Sequence, residues 1–331
     1  MMAYLVRAAI TAALVALAGC GTADAPVTGA VAATGTLARS PTLLVATTRK
    51  PEKSGERPWF TAERGRGLAF AEARIGTPDR SLVGRLAAVV VSGWSVDSVG
   101  PVKSEGAARA FADAAMGRDV LLYVHGYRES FETAAVSAAE LGDGVGFRGA
   151  AGVFTWPSGG GTFDYVHDRE SALWSRDALE ELLATLAQSA SGGRVHIMAH
   201  SMGTLLTLET LRMLRATGGE TAMARIGAVV LASPDIDIDV FTREIERLGP
   251  DARKITVISA TNDRALDLSR RIAGGVVRAG AAERAKLEKL EALGVRIADA
   301  SDYGGGLVNH DLFLSNAEVR AVVRRAVERA G

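Results

Sequence analysis

The chain has 331 residues, of which 48% are hydrophobic and 23% charged, and its 38 basic residues balance its 38 acidic ones. This composition is typical of a globular protein. The formal net charge of zero gives no electrostatic reason to expect nucleic acid or a strongly acidic partner.

The first residues of the chain have the features of an export signal. Arg7 precedes an apolar stretch from Ala8 to Ala18, which is too short to cross a bilayer because a spanning helix needs about 20 residues. The stretch ends in Leu17-Ala18-Gly19-Cys20, which resembles the bacterial lipobox, where cleavage before the cysteine leaves an acylated N-terminus. The alternative is a plain cleaved signal with an incidental cysteine. Cys20 is the only cysteine, so a disulfide within the chain is excluded.

These features predict three parts. Residues 1–19 form a lipoprotein signal peptide, residues 20–40 a lipid-anchored flexible tether, and residues 41–331 one large α/β domain. Gly21 follows the cysteine in place of aspartate, which in lipoproteins of this type implies sorting to the outer membrane. We therefore expect the protein in a bacterial cell envelope, attached to the membrane through its lipid and facing the periplasm.

Short apolar runs with the length of buried strands recur along residues 41–331. Because most are apolar on both faces and alternate with helical patterns, they predict a mainly parallel sheet with helices on both faces. The polar stretch between the first two runs favours antiparallel pairing of those two. The segment from Arg49 to Arg85 is interpreted as a surface loop, with a substrate-side cap as the alternative. The predicted strands are Leu43–Ala46, Ala87–Val91, Val120–Val124, Gly152–Thr155, Val195–Ala199, Ala228–Ala232, Ile255–Ser259 and Val295–Ala298.

Apolar residues at spacings of three and four predict helices between the later strands. Pairs of glycines at 192–193 and 218–219 are predicted to end two of them. The predicted helices are Ser130–Leu141, Arg169–Gln188, Met202–Leu214 and Ala281–Leu293.

Ser201 lies where an apolar strand meets one of these helix patterns. In the G-x-S-x-G nucleophile elbow, small flanking residues allow a sharp turn that projects the serine hydroxyl at the positive end of the next helix. Gly203 matches the second small position, whereas Ala199 stands at the first. Alanine has the smallest side chain after glycine, so it still leaves room for the sharp turn. Ser201 is therefore the candidate nucleophile.

A serine hydroxyl needs a base to take its proton and a third group to orient that base. In α/β hydrolases these follow the serine in the order Asp or Glu, then His. Asp263 follows the strand that ends at Ser259, at the edge where open α/β sheets build their sites. His310, on a glycine-rich loop, is the only histidine C-terminal to Ser201. Asp235, after the preceding strand, remains the alternative acid.

The strand Val120–Val124 ends in His125-Gly126-Tyr127, where a glycine lets the backbone approach a substrate carbonyl. The N–H groups of Tyr127 and Met202 are the candidate oxyanion donors. Trp156, at the end of another strand, either lines an acyl pocket or packs in the core.

The remaining histidines are given supporting roles. His196 is interpreted as a hydrogen-bonded core residue, His200 as a residue that shapes the pocket, and His125 as a support of the oxyanion loop, while His167 has no clear role. The sequence has neither an H-E-x-x-H motif nor a cysteine cluster, so no metal and no cofactor is predicted.

Taken together, these motifs resemble a bacterial family of α/β hydrolases known as domain of unknown function 900, from about Leu43 to Leu314. The resemblance implies a serine hydrolase of the α/β-hydrolase fold with Ser201, Asp263 and His310 as its triad, and it implies no substrate. It rests on VATTRK (45–50), YVHGY (123–127), FTWPSG (154–159), DRESA (168–172), HSMG (200–203), ASPDID (232–237) and NDRAL (262–266).

The predicted function is hydrolysis of a carboxylic ester, with a small-molecule or lipid acyl ester as substrate, through an acyl-enzyme. A thioesterase, an amidase or an acyltransferase would use the same residues. The alternative from another class is a non-catalytic envelope lipoprotein that uses the fold as a binding scaffold.

Replacing Cys20 by alanine is expected to release the protein from the membrane, because the acyl chains would be attached at this thiol. Fractionation of cells that express the two forms measures the change. A Cys20→Ala form that stays equally membrane-bound would show that the lipobox interpretation is wrong.

Overall fold

Residues 41–331 are described by a computed structural model, apart from residues 79–92, 103–108, 110–111, 114, 116, 162–163, 189–192, 273–274 and 304–309. The predicted signal peptide, Cys20 and the tether lie outside the described residues, and so does the predicted strand Ala87–Val91. In the part of the chain that is described, no helix has the length and apolar character needed to span a bilayer.

Nine strands of the described residues form one sheet, in the spatial order β3-β2-β1-β5-β4-β6-β7-β8-β9. Their bounds are β1 Thr42–Pro51, β2 Phe60–Gly76, β3 Ser95–Pro101, β4 Val120–Val124, β5 Ala150–Thr155, β6 Val195–His200, β7 Ile226–Ala232, β8 Ile255–Ser259 and β9 Arg296–Asp299.

Most of the sheet is parallel. β1 pairs parallel with β5, and every pair from β5 to β9 in the spatial order is parallel, whereas β2 pairs antiparallel with both β1 and β3. The seven predicted strands that fall on described residues are present, the last shifted by one residue. This is the predicted α/β-hydrolase fold, with a mainly parallel sheet and helices on both faces.

The interpretation of residues 49–85 as a surface loop is wrong, because β2 runs through Phe60–Gly76. This strand is the antiparallel partner of β1, with Thr42 opposite Arg74 and Thr47 opposite Ala69. Its second half alternates buried Ala71, Ala73 and Ile75 with exposed residues, as a strand with one solvated face does. The sequence contains this alternation of apolar and polar residues, but the surrounding arginines and glycines are more typical of a loop.

Nine α-helices lie among the described residues. Their bounds are α1 Phe131–Gly144, α2 Tyr165–Trp174, α3 Arg176–Gln188, α4 Met202–Ala224, α5 Ile238–Leu248, α6 Arg264–Ile272, α7 Arg284–Ala292, α8 Leu312–Ser315 and α9 Ala317–Ala330.

Two predicted helices differ from the observed ones. The single helix predicted over Arg169–Gln188 is divided at Ser175, whose hydroxyl donates to the carbonyl of Ser171 and hydrogen-bonds Thr48 in β1. Such local side-chain bonds compete with helical geometry. The helix that begins at Met202 continues to Ala224, with a non-helical residue at Gly219 instead of an end there.

The sheet separates two apolar layers because successive strand residues point to opposite faces. In β4, Leu122 belongs to the apolar layer that includes residues of α3, α4, α5 and α7, whereas Leu121 and Tyr123 belong to the layer that includes residues of α1, α8 and α9. β6 repeats this division, with Ile197 on the first face and Met198 on the second. The central strands are thus enclosed on both faces, and only their ends remain for a site.

Replacing Leu122 by alanine is expected to reduce the free energy of unfolding by about 2–5 kcal/mol, because this fully buried side chain leaves a cavity in the central strand. Urea denaturation measures the loss. The matched control Val240→Ala removes methyl groups from a side chain that is 42% exposed, so it should change stability by less than about 0.5 kcal/mol. Equal losses for both variants would contradict the assigned core.

Candidate active site

Ser201 occupies the sharp turn between β6 and α4. Its backbone has φ 50° and ψ −120°, and among the described residues only Arg128 and Ser233 share a positive φ without being glycine. Such a conformation costs about 1–3 kcal/mol and persists only where the surroundings impose it. Here the Ser201 N–H donates to the carbonyl of Ala232 over 3.0 Å, and its own carbonyl accepts from Thr204. The predicted elbow is therefore present in the structure.

Two glycines permit this turn to lie against the end of β4. A Cβ on Gly203 would stand 2.3 Å from the carbonyl oxygen of His125, and one on Gly126 would stand 3.0 Å from the Cβ of Ser201. At either distance the added Cβ would press against atoms that are already closely packed, so both positions favour glycine. Ala199, at the other small position of the motif, is fully buried in the apolar layer instead. The departure from G-x-S-x-G therefore falls at a position where the structure accommodates a methyl group.

His310 and Asp263 form a hydrogen-bonded pair. Nδ1 of His310 lies 2.8 Å from Oδ2 of Asp263, whose other oxygen accepts from the N–H groups of Ala265 and Leu266 at the start of α6. Burial raises the pKa of Asp263, but His310 and the Leu266 amide outweigh it and hold the pKa below its usual value. Burial lowers the pKa of His310, but the charge and hydrogen bond of Asp263 outweigh it and raise that pKa to about 9.

Asp235, the alternative acid, has other partners. Its carboxylate pairs with the buried Arg278 at 3.0 Å and accepts hydrogen bonds from Tyr165 and Ser269. Its N–H donates to the carbonyl of Ser201 over 3.3 Å. Asp235 therefore lies beside the elbow, but Asp263 is the carboxylate that contacts His310.

The backbone carbonyl of His310 contacts His200, the residue that precedes the elbow serine. Nε2 of His200 lies 3.2 Å from the carbonyl oxygen of His310, and the two rings are 4.6 Å apart between centroids. Within the described residues, no hydrogen bond joins Ser201 Oγ to the His310 ring. Hydrogen bonds between catalytic groups are often long before a substrate binds. The three predicted triad residues thus lie at one edge of the sheet, with the acid and base in direct contact.

The predicted oxyanion donors belong to two different segments, the start of α4 and the loop after β4. Met202 is the first residue of α4, where backbone N–H groups have no partner within the helix. Tyr127 follows Gly126, which contacts Ser201. The Tyr127 hydroxyl donates to the carbonyl of Gly161, and its ring meets that of Tyr165 edge to face.

His125 and Trp156 fix the start of the loop that carries Tyr127. Nε2 of His125 accepts from the Trp156 N–H over 3.0 Å, so Nδ1 carries the proton and donates to the carbonyl of Gly126. The two rings stack, and the Trp156 side chain donates to the carbonyl of His125. Burial, helped by the charge of Arg49, lowers the pKa of His125 to about 4. Since Trp156 is fully buried, the structure favours its packing role.

Arg49 and Asp168 are buried charged residues near this loop whose roles were not predicted from the sequence. Arg49 is 2% exposed and donates to the hydroxyl of Thr155 and to the carbonyls of Glu129 and Ser158. Burial lowers its pKa to about 10, so it stays charged at neutral pH. Asp168 is also buried and accepts from the Ser158 hydroxyl and the Gly159 N–H.

Of the other histidines, His196 has the predicted core role, since its Nδ1 accepts from the Ala228 N–H. His200 is 5% exposed, precedes Ser201 in the chain and contacts the carbonyl oxygen of His310 through Nε2. Among the described residues, no group of three or more His, Cys, Asp or Glu side chains is arranged to hold a metal ion.

A family model described as an alpha/beta hydrolase of unknown function (DUF900) matches residues 105–326. The uncharacterized protein alr1448 of Nostoc sp. is 34% identical over 61 residues, which are 18% of this chain and only 16% of that relative.

Two solved structures show distant likeness. Est1E from Butyrivibrio proteoclasticus is 10% identical, with 79% of this chain and 95% of that chain covered and a TM-score of 0.42. Aspergillus fumigatus lipase B is 14% identical, with 70% of this chain and 59% of that chain covered and a TM-score of 0.43.

His310 is expected to titrate near pH 9, and Asp263→Asn should lower its pKa by more than about one unit, because burial then acts without the opposing carboxylate. Ring-nitrogen NMR across a pH series measures the change. The matched control Asp235→Asn removes a carboxylate that does not contact His310, so its effect should be smaller. A larger shift with Asp235→Asn would contradict the assigned pairing.

Proposed function

This chain belongs to the alpha/beta hydrolases of unknown function (DUF900), and we propose that it is a serine hydrolase that cleaves a carboxylic ester through an acyl-enzyme. The observation that carries the proposal is the His310–Asp263 pair, held beside a serine whose backbone is forced into a positive-φ turn. A merely structural serine at this position would have no need of an adjacent, buried base and acid. The lipid anchor at Cys20 and the periplasmic location remain part of the proposal as expectations from the sequence.

The proposed reaction begins when Ser201 Oγ attacks the substrate carbonyl carbon and His310 Nε2 takes the serine proton. Asp263 stabilises the resulting imidazolium through Nδ1. The tetrahedral oxyanion accepts hydrogen bonds from the N–H groups of Tyr127 and Met202, an arrangement that typically contributes a few kcal/mol to transition-state stability. The intermediate collapses, and the leaving alkoxide takes the proton from His310, which yields an alcohol and the acyl-enzyme.

Hydrolysis of the acyl-enzyme repeats these steps with water. His310 accepts a proton from water, the hydroxide attacks the acyl carbon, and the proton then passes to Ser201 Oγ as the carboxylic acid departs. The base must be neutral at the start of each half-reaction. With a pKa of about 9, about one His310 in a hundred is neutral at pH 7, so the rate should rise as pH approaches 9.

An ester is easier for these residues to cleave than an amide. An alkoxide can depart while the proton from His310 is still being transferred, whereas an amide anion is so poor a leaving group that the nitrogen must be protonated before it departs. The proposed substrates are therefore small-molecule or lipid acyl esters. Thioesters, amides and acyl transfer to an acceptor other than water would use the same residues.

A fluorophosphonate probe should label the full-length protein at Ser201, because the probe reacts only with a serine that a base activates. Labelling should disappear in Ser201→Ala and in His310→Ala, as should hydrolysis of p-nitrophenyl acetate. Ser315→Ala, which alters an exposed serine in α8, should leave both signals unchanged and serves as the control.

Mass spectrometry of the labelled peptide and initial rates give the two readouts. A folded wild-type protein that is neither labelled nor active would refute the proposal and favour a binding scaffold. Labelling that persists in His310→Ala would refute the assignment of the base.

A further inference from the structure

A second histidine–carboxylate pair lies behind the nucleophile. His200, the residue before Ser201, is 5% exposed, and its Nδ1 lies 3.8 Å from Oε1 of Glu129. Its Nε2 lies 3.2 Å from the carbonyl oxygen of His310. One imidazole therefore connects Glu129, in the loop after β4, with the backbone of the proposed base.

The protonation of the His200 ring follows from its partners. A carbonyl oxygen can only accept, so Nε2 must carry a hydrogen and donate to His310. Nδ1 then faces the carboxylate of Glu129. A lone pair on Nδ1 would face negative charge, whereas a proton there gives an ion pair. Within the described residues, His200 Nδ1 and Glu129 Oε2 are both buried and without a hydrogen-bond partner, so each has capacity for the other.

Glu129 is well placed to anchor this ring. Its Oε1 accepts from the Tyr123 hydroxyl over 3.1 Å and from the Gly126 N–H over 3.2 Å, while its backbone carbonyl accepts from Arg49. Burial raises the pKa of Glu129, but His200 and the other neighbours outweigh it and hold the pKa below its usual value. One ionised carboxylate thus contacts both the loop of Tyr127 and the ring of His200.

His310 is restrained both at its ring and at its backbone. The hydrogen bond between Nδ1 and Asp263 orients the ring, while the His310 carbonyl accepts from His200 Nε2 over 3.2 Å and, more weakly, from the Ser233 hydroxyl over 3.5 Å. A ring that is correctly rotated but displaced by about 1 Å would transfer protons poorly, at a cost of up to about 100-fold in rate. The backbone restraint therefore contributes to the proposed reaction separately from the acid.

We infer that His200 and Glu129 are positioning residues of the proposed hydrolase: Glu129 holds His200, and the His200 Nε2–H holds the carbonyl of His310 and so places the base relative to Ser201. This inference rests on the proposed function. Neither residue touches the substrate in this role, and both act through His310.

The test compares amide side chains of two lengths at position 200. Glutamine places its amide nitrogen near the position of Nε2 and can still donate to the His310 carbonyl, whereas asparagine reaches only the position of Nδ1. His200→Asn should lower kcat for p-nitrophenyl acetate by about 10- to 100-fold with KM changed by less than about threefold. His200→Gln keeps the donor to the His310 carbonyl but loses the contact with Glu129, so its kcat should fall by about tenfold at most and by less than that of His200→Asn.

Two carboxylate variants test whether the contact between Glu129 and His200 matters more than any other negative charge near His200. Glu129→Gln should lower kcat by about tenfold and leave KM nearly unchanged, because the amide keeps the shape but not the charge that holds His200. Asp311 also faces His200, with Oδ1 3.7 Å from Nε2, but its side chain is 69% exposed and its charge is screened. Asp311→Asn is therefore the matched control and should keep kcat within about twofold.

The outcomes distinguish this inference from the proposed function. An active, labelled wild type with unchanged kcat in His200→Asn and Glu129→Gln would overturn the inference alone. Equal losses in His200→Asn and His200→Gln, with equally lowered Tm, would show a packing role and also overturn it. A wild type that neither reacts with the fluorophosphonate nor hydrolyses the ester would refute the function itself. If His200→Asn does not fold, the isosteric Glu129→Gln decides.

Discussion

The close packing of the turn at Ser201 on the end of β4 is the constraint on which the rest of the site depends. β4 and β6 are parallel neighbours, so the elbow and the loop of Tyr127 emerge side by side. Gly203 and Gly126 leave no space for a Cβ between them, and a methyl group at either position would separate the nucleophile from the candidate oxyanion donor. The positive φ of Ser201 follows from the same contact, because the chain must reverse direction within one residue to begin α4 while remaining against β4.

Two buried carboxylates lie next to this turn, Asp235 and Asp263. They have different roles because they contact different basic side chains. Asp235 is paired with Arg278, and both side chains are almost fully buried, so removal of either would leave an isolated charge in the interior. Asp235 also accepts hydrogen bonds from Tyr165 and Ser269, and these bonds hold the loop after β7 in place. Asp263 has no arginine or lysine among its described contacts, and its remaining oxygen is available to His310.

The sequence predicts the features that local patterns and chain order encode. Apolar runs locate the central strands, and the order Ser201, Asp263, His310 selects three residues that the fold brings to one sheet edge. It does not predict the roles of Arg49 and Glu129, because Arg49 contacts residues 80 to 109 positions away and Glu129 contacts His200, and such distant contacts leave no periodic trace. The division of the predicted helix at Ser175 also depends on a distant partner, Thr48.

The pKa values of two histidines at this edge are displaced in opposite directions, because burial dominates at His125 and a neighbouring carboxylate dominates at His310. Burial and the cation of Arg49 lower the pKa of His125 to about 4, whereas Asp263 raises that of His310 to about 9 against the effect of burial. His125 must stay neutral, because its Nε2 has to accept the Trp156 N–H for the loop to keep its shape. At every pH at which His310 gains or loses its proton, His125 is therefore unchanged. The separation allows one histidine to be a fixed part of the scaffold and the other to be the group that exchanges protons.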